Sequence, residues 1–316
     1  MSTLLSNGEP EAGAVNEGAV RETCSWELRA AKVGSLDIRR ALPVRDRRLI
    51  GPWCFLDRYG PLTFTEGKPM DVAPHPHTGL QTVSWLFEGE VLHRDSLGFE
   101  QVIRAGELNL MTSGRAIAHS EESPRGASGS LSGIQLWIAL PDADRNGEPT
   151  FEHHPRLPVV SASGAATSVF YGAAAGERSP ATSFSPALGA EIRLPAGSEA
   201  ELPLDESFEH GLLLIDGDLE SNGGRILGDR FYYLQPGNAS IDLRSDRGCV
   251  MMLIGGAPFG EKIVMWWNFV GRSFEEIERF RKEWDRGERF GEVKGYRGSR
   301  LEAPPLKPRI PPTPAS

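Results

Sequence analysis

The stretch Leu86-Phe87-Glu88-Gly89-Glu90 is an apolar strand end followed by an acidic-Gly-acidic turn, which suits a β-hairpin. A similar stretch, Leu214-Ile215-Asp216-Gly217-Asp218, returns in the second half of the chain. A second pair of turns, Gly106-Glu107-Leu108 and Gly228-Asp229-Arg230, recurs at nearly the same separation. Because this separation is about the length of one domain, we predict a duplicated domain. Chance matching is the alternative, since Gly-acidic turns are common.

The sequence around these turns is typical of an all-β fold. Short apolar runs at 80–87, 108–111 and 134–140 alternate with Gly-containing turns, as strands of a barrel or sandwich do. The chain has 316 residues, of which 36 are Gly and 24 are Pro, and 39% are hydrophobic. This length suits two domains, and this composition favours short strands joined by turns.

The pattern divides the chain into four segments. Residues 1–24 are rich in small and polar residues without periodicity, and we predict a disordered leader. A first β domain is predicted over 25–145 and a second over 146–270, with a polar linker at 142–158. The remaining segment, 271–316, is predicted to form one helix and an extended tail.

The predicted helix has start and stop signals. Ser273 and Glu276 form a capping box, and Gly287 stands where a C-terminal cap belongs. Four apolar residues recur between them at helical spacing, namely Phe274, Ile277, Phe280 and Trp284. An amphipathic helix is therefore expected, followed by a proline-rich extended tail.

Charge and cysteine content exclude several classes of protein. A net charge of −9 disfavours direct binding to nucleic acid or to an anionic membrane. Three scattered cysteines are too few for a disulfide framework. No apolar run approaches the roughly 20 residues of a membrane-spanning helix. The first twenty residues contain three Glu and no Lys or Arg, so we do not expect a secretory signal there. We therefore expect a cytoplasmic protein with reduced thiols.

Two short motifs carry candidate metal ligands. His75 and His77 are two residues apart in a strand-like run, so both imidazoles point to one face. His119 and Glu121 repeat the spacing, and four ligands converge if the two strands are neighbours. Three imidazoles and a carboxylate suit Fe(II), Mn, Co, Ni, Cu(II) or Zn, and leave open positions on an octahedral ion. The alternative for any one histidine is an exposed or hydrogen-bonded side chain.

The other four histidines have plainer interpretations. His153 and His154 fall in the predicted linker and His210 in a polar turn. His93 follows a hairpin beside charged residues and is interpreted as solvated, with a position behind the metal ligands as the alternative.

The chain from about residue 26 to 306 resembles the pirin family of the cupin superfamily. The motifs that carry the resemblance are His75-Pro76-His77-Thr78-Gly79, Phe87-Glu88-Gly89, His93-Arg94-Asp95-Ser96, Met111-Thr112-Ser113-Gly114-Arg115, His119-Ser120-Glu121, Gly255-Gly256-Ala257-Pro258 and Trp266-Trp267-Asn268-Phe269-Val270.

The resemblance implies a bicupin, two double-stranded β-helix (jelly-roll) barrels with a C-terminal helix and tail packed back across the other domain. It implies one metal, usually iron, held in the N-terminal barrel by His75, His77, His119 and Glu121. Gln81 is a departure, since a related cupin pattern often has Glu there, and we expect it to alter only the charge near the ligands.

The repeat gives an independent expectation for the second barrel. Carrying the ligand positions forward by the same separations reaches Pro203, Asp205, Ile241 and Leu243. Only Asp205 among these could ligate a metal, so we predict a metal-free second barrel that is structural or binds a partner.

The resemblance also suggests two functions. Pirin relatives are similar to quercetin 2,3-dioxygenases, which implies a small chelating aromatic substrate plus O2, with Glu121 as ligand and as catalytic base. The alternative is a metal- or redox-responsive regulator that binds transcription factors or metabolic enzymes. A metal-dependent isomerase is a third possibility, because a fold does not fix a reaction.

Overall fold

The computed structural model describes residues 23–34, 36–65, 70–162 and 164–306. Within these ranges the chain forms 25 strands and one helix. The first half contains β1 (Thr23–Glu27), β2 (Arg29–Val33), β3 (Leu36–Leu42), β4 (Trp53–Phe64), β5 (Asp71–His77), β6 (Leu80–Glu88), β7 (Glu90–Asp95), β8 (Glu100–Arg104), β9 (Leu108–Thr112), β10 (Ile117–Glu122), β11 (Gly129–Ala139) and β12 (Thr150–His154).

The second half contains β13 (Val159–Ala162), β14 (Ala165–Ala174), β15 (Glu177–Arg178), β16 (Ala187–Leu194), β17 (Ser198–Pro203), β18 (Glu209–Gly217), β19 (Leu219–Ser221), β20 (Gly224–Ile226), β21 (Arg230–Leu234), β22 (Ser240–Ser245), β23 (Cys249–Gly256), β24 (Val264–Trp266), β25 (Phe269–Gly271) and α1 (Phe274–Asp285). The predicted disordered leader lies outside the described residues, apart from its last two residues in β1, and so does the end of the predicted tail from residue 307.

Each barrel is built from a large sheet and a small sheet in the same strand order. The first barrel has the orders β12-β9-β6-β11-β4-β3-β2 and β5-β10-β7-β8. The second has β1-β21-β18-β23-β16-β14-β13, with β15 beside β14, and β17-β22-β19-β20. Apart from β15, the two orders correspond strand for strand, and the all-β fold with two cupin barrels is confirmed.

The two barrels exchange an edge strand. β1 precedes the first barrel but pairs antiparallel with β21 of the second, where Trp26 lies opposite Phe231. β12 pairs with β9 of the first barrel, where His153 lies opposite Asn109. The segment predicted as a polar linker at 142–158 therefore contains a strand of the first barrel. Such an exchange covers a free sheet edge in each barrel.

The large sheets of the two barrels pack against each other through a shared apolar core. Trp53 and Trp85 from the first barrel are buried in it with Phe170, Tyr171 and Phe231 from the second. The indole of Trp53 lies edge-on to Tyr171, with ring centroids 5.4 Å apart. Strands at the centre of these sheets are covered on both faces, which explains their nearly continuous apolar sequences.

The C-terminal helix is confirmed, with one difference at its start. The Ser273 side chain accepts a hydrogen bond from the backbone N–H of Glu276, with N···O 3.2 Å. The Glu276 carboxylate instead accepts from the backbone of Arg272 at 2.7 Å, so the capping box is not reciprocal. Gly287 has φ 73° and its N–H donates to the carbonyl of Trp284, as expected of a C-terminal cap.

The described part of the tail packs back on the first barrel. The backbone N–H of Leu301 donates to the carbonyl of Pro74 at 2.8 Å, and the Tyr296 hydroxyl donates to Asp71 at 2.9 Å. The indole of Trp284 in α1 donates to the carbonyl of Leu301 at 2.9 Å. Helix and tail are thus fastened beside β5, the strand that carries the first His pair. The only helix of the described ranges is too short to span a bilayer.

Candidate metal centre

Three of the four predicted ligands come together in the first barrel. β5 and β10 are antiparallel neighbours, and His75 lies directly opposite His119. The Nε2 atoms of His77 and His119 are 3.1 Å apart. One ring nitrogen from each of the three imidazoles lies within 4.8 Å of the others. The predicted convergence of two distant strands is therefore confirmed for the histidines.

The donor set of these histidines fits a transition-metal ion. All three rings are buried. Burial lowers the pKa of His75 to about 4, and burial together with the neighbouring rings holds the pKa of His77 and of His119 well below the usual histidine value. Neutral imidazoles are the form that binds metal. Two ligands of one ion with bonds of about 2.0–2.1 Å are expected roughly 2.9–3.4 Å apart, which matches the His77–His119 distance.

Glu121 lies beside the histidines without joining that group. A β-bulge between His119 and Glu121 shifts the pairing with β5, so that Glu121 is opposite Val72. Within the described part of the chain, the group of converging donor atoms contains the three imidazoles and not the Glu121 carboxylate. Oε1 of Glu121 accepts a hydrogen bond from the Ser84 hydroxyl at 2.9 Å. Burial raises the pKa of Glu121, and a positive charge on His93 would oppose the shift. Metal ligation by Glu121 stays a prediction.

A cavity of about 480 Å³ opens on this site. His75, His77, His119 and Glu121 form one part of its wall. Its aromatic lining comes from β4, β11 and the β24–β25 hairpin, and consists of Phe55, Tyr59, Trp137 and Trp267. This size falls within the range of small-molecule pockets.

Comparison with known families identifies the fold and its two halves. Residues 35–138 match the family model described as Pirin, and residues 189–291 match the Pirin C-terminal cupin domain. The chain belongs to the pirin family.

Similar proteins of the pirin family cover nearly the whole chain. It is 47% identical over 287 residues to "Putative quercetin 2,3-dioxygenase PA1205" of Pseudomonas aeruginosa, covering 89% of this chain and 90% of that protein. A pirin-like protein of Caulobacter vibrioides is 36% identical and covers 83% of this chain and 92% of its own. The crystal structure of a quercetin 2,3-dioxygenase from Acinetobacter baumannii superimposes with a TM-score of 0.89, at 41% identity, covering 92% of this chain and 97% of that one.

His93 is not solvated, and the sequence interpretation is wrong on this point. The residue is 3% exposed, and its Nδ1 lies 3.3 Å from Nδ1 of His119. In β7 buried and partly exposed residues alternate, so Val91, His93 and Asp95 all face inward. The sequence alone does not reveal this, because the adjacent residues Val91 and Leu92 are both apolar and so do not distinguish the two faces of β7.

The remaining histidines also differ from their predicted places. His210 lies in β18 rather than in a polar turn, it is fully buried, and neither ring nitrogen has a hydrogen-bond partner among the described residues. His153 and His154 lie in β12, where His153 Nδ1 is 2.8 Å from the Asn109 side-chain oxygen. None of the three lines the cavity.

Gln81 faces away from the candidate site. It does not line the cavity, and its Oε1 accepts a hydrogen bond from the hydroxyl of Tyr171 in the second barrel at 2.7 Å. Its amide donates to Thr112 at 2.9 Å. The expectation that Gln81 alters the charge near the ligands is wrong, because it belongs to the contact between the barrels.

The second barrel has aliphatic residues at all four ligand positions. Ile241 lies opposite Leu202 on β17, as His119 lies opposite His75 on β5. The backbone N–H of Leu204 donates to the carbonyl of Ala239, so Leu204 is the counterpart of His77. Leu243 lies opposite Ser221, as Glu121 lies opposite His93, so Leu243 is the counterpart of Glu121. The counterparts of His75 and His77 are thus Leu202 and Leu204, each one residue before the predicted Pro203 and Asp205. Leu202, Ile241 and Leu243 belong to an apolar core cluster, and Leu204 packs against it. None of the four side chains offers a metal ligand.

Proposed function

We propose that this protein is a metal-dependent oxygenase of the quercetin 2,3-dioxygenase type, acting on a flavonol-like or small aromatic chelating substrate. One divalent ion is held by His75, His77, His119 and Glu121, with Fe(II) preferred over Mn, Co, Ni, Cu or Zn. The observation that supports it most is the convergence of three buried neutral imidazoles on an aromatic-lined cavity. Two similar proteins named as quercetin 2,3-dioxygenases also support it.

The cavity wall suits a planar substrate. Trp137 stacks on Phe55, with ring centroids 4.0 Å apart and planes 14° apart. The same indole meets the ring of His77 edge-on at 5.2 Å. A flat aromatic surface therefore begins directly beside a metal ligand and can orient a ring whose oxygens chelate the ion. When bound, the metal supplies Lewis acidity and a template for substrate and O2.

Glu121 is the group we assign to proton transfer. Its Oε1 is held by the Ser84 hydroxyl, so Oε2 is the oxygen assigned to accept the proton of a substrate hydroxyl. The same burial that raises its pKa makes this carboxylate a stronger base than an exposed one. Trp267 and Leu301 line the same cavity and add apolar surface to its wall.

The test is aerobic turnover of quercetin by protein purified without chelators, with metal content measured by inductively coupled plasma mass spectrometry. We expect turnover by the iron-loaded wild type and its loss in His119→Ala with an unchanged circular dichroism spectrum. His154→Ala is the matched control, because His154 lies outside the cavity. A fully iron-loaded wild type that turns over neither quercetin nor a panel of chelating aromatics would overturn the proposal.

A further inference from the structure

We propose that Asp95 and His93 are positioning residues that set the tautomer of His119 and so aim its Nε2 lone pair at the metal. This inference rests on the metal site of the proposed function. The three side chains form a buried line. Asp95 Oδ2 lies 3.1 Å from His93 Nε2, and His93 Nδ1 lies 3.3 Å from His119 Nδ1.

The direction of each hydrogen bond follows from the carboxylate. An ionised carboxylate can only accept, so His93 Nε2 donates to Asp95. With one proton on the ring, His93 then has a bare Nδ1, which accepts from His119 Nδ1–H. His119 therefore has a bare Nε2, the atom 3.1 Å from His77 Nε2 in the ligand cluster. A carboxylate that does not touch the site thus determines which nitrogen of His119 can bind metal.

The surroundings hold this line in place. Asp95 Oδ1 accepts from the backbone N–H groups of Leu97 and Phe99, at 2.9 and 3.1 Å. The ring of Phe151 stacks on His93, with centroids 4.4 Å apart and planes 14° apart. β7 and β10 are hydrogen-bonded neighbours, with Asp95 opposite His119. His93, Asp95 and His119 are all buried.

The expected consequence is higher metal affinity. A ligating histidine whose other nitrogen donates to an oriented partner is fixed in ring orientation and is a stronger base. Loss of such a partner typically lowers metal affinity by about 10- to 100-fold. The fold does not require this arrangement, since the corresponding position of His93 in the second barrel is Ser221, opposite Leu243.

The decisive variant is Asp95→Asn. The side-chain oxygen of the new Asn is expected to accept hydrogen bonds from the backbone N–H groups of Leu97 and Phe99, as Asp95 Oδ1 does. Its NH2 group then faces His93. His93 then receives a donor at Nε2 and presents Nδ1–H to His119. To avoid two opposed donors, His119 must protonate Nε2, the nitrogen that the metal needs. Asp205→Asn is the matched control, because Asp205 Oδ1 accepts from Ser207 N at 2.9 Å in a comparable turn of the second barrel.

The first measurement is a Co(II) titration of the metal-free proteins, with competition by a chelator and visible absorption as readouts. We expect Asp95→Asn to bind Co(II) about 10- to 100-fold more weakly than wild type and Asp205→Asn to bind as wild type does. A second pair tests His93. His93→Asn keeps an acceptor near the Nδ1 position and is expected to retain most of the affinity that His93→Leu loses.

The second measurement needs neither metal nor turnover. Nitrogen-15 spectra of the metal-free wild type report which ring nitrogen of His119 is protonated, and we expect Nδ1. Protonation at Nε2 would overturn the inference, even where Asp95→Asn fails to fold. Equal Co(II) affinity of Asp95→Asn and wild type would also overturn it while leaving the proposed function intact. A wild type that binds no metal would instead sink the proposed function, with the nitrogen-15 result still deciding the tautomer.

Discussion

Trp137 lies edge-on against His77, with ring centroids 5.2 Å apart and planes 81° apart. The contact joins the aromatic wall of the cavity to a residue of the ligand cluster. Substrate orientation and metal binding are therefore adjacent but chemically separate in this site. A substitution in the aromatic wall can therefore change substrate binding while leaving metal binding intact.

Trp137→Leu is expected to weaken substrate binding without removing the metal. Leucine keeps an apolar side chain but loses the flat ring that stacks on Phe55, so the KM for quercetin should rise about tenfold. The iron content should stay that of wild type. The measurements are steady-state kinetics and metal analysis of the same preparation.

The control for this change is Trp26→Leu. Trp26 packs on Phe231 in the second barrel, 5.3 Å between ring centroids, and does not line the cavity. The KM of Trp26→Leu for quercetin should match that of wild type. An unchanged KM in Trp137→Leu would contradict the assignment of this wall to the substrate.

The metal-free protein is expected to lose stability as the pH falls below about 6.5. The unfolded chain protonates its histidines near that pH, whereas burial keeps the folded pKa of His75 at about 4 and holds those of His77 and His119 well below the usual value. The unfolded state then binds more protons, so the free energy of unfolding falls as the pH drops through this window. His75 alone accounts for roughly 3 kcal/mol.

Glu121 acts in the opposite direction, because its raised pKa means that stability is lost as the pH rises above its unfolded value of about 4.5. Three histidines outweigh one carboxylate between pH 4.5 and 6.5. Urea unfolding at pH 7 and at pH 5 measures how far the free energy of unfolding falls. The fall should be smaller in His75→Asn than in wild type. A flat profile in wild type would show that these rings are not held neutral.

Ile241→Ala is expected to destabilise the second barrel by about 2–5 kcal/mol, the range for truncating a buried aliphatic side chain. Ile241 is buried in an apolar cluster, whereas its counterpart His119 borders an existing cavity. His119→Ala should therefore cost less stability while abolishing metal binding. Chemical denaturation of the two metal-free variants compares them, and a larger cost for His119→Ala would contradict this view of the two interiors.

Local sequence patterns were enough to predict the all-β class, the C-terminal helix and the candidate histidine ligands. Alternation of side chains along a strand placed His75 and His77 on one face, and the caps at Ser273 and Gly287 marked the helix ends. These are short-range properties of the backbone. The repeated hairpins likewise predicted two barrels, because a duplicated strand order repeats its turns.

Only the tertiary structure showed what lies behind the cluster and between the barrels. His93 and His210 are polar residues whose burial depends on strands far away in sequence, and Gln81 is satisfied by Tyr171 of the other barrel. The exchange of β1 and β12 depends in the same way on which sheet edge each strand meets.

A polar side chain carries no local signal of its partner. Periodicity determines which side of a strand a residue occupies, and it placed His75 and His77 on one face of β5. His119 joins them because β10 pairs with β5, which is a long-range contact. Whether that side meets water, an opposite barrel or a buried Asp95 is decided by long-range packing, since the hydrogen bonds that offset burial come from residues distant in the sequence.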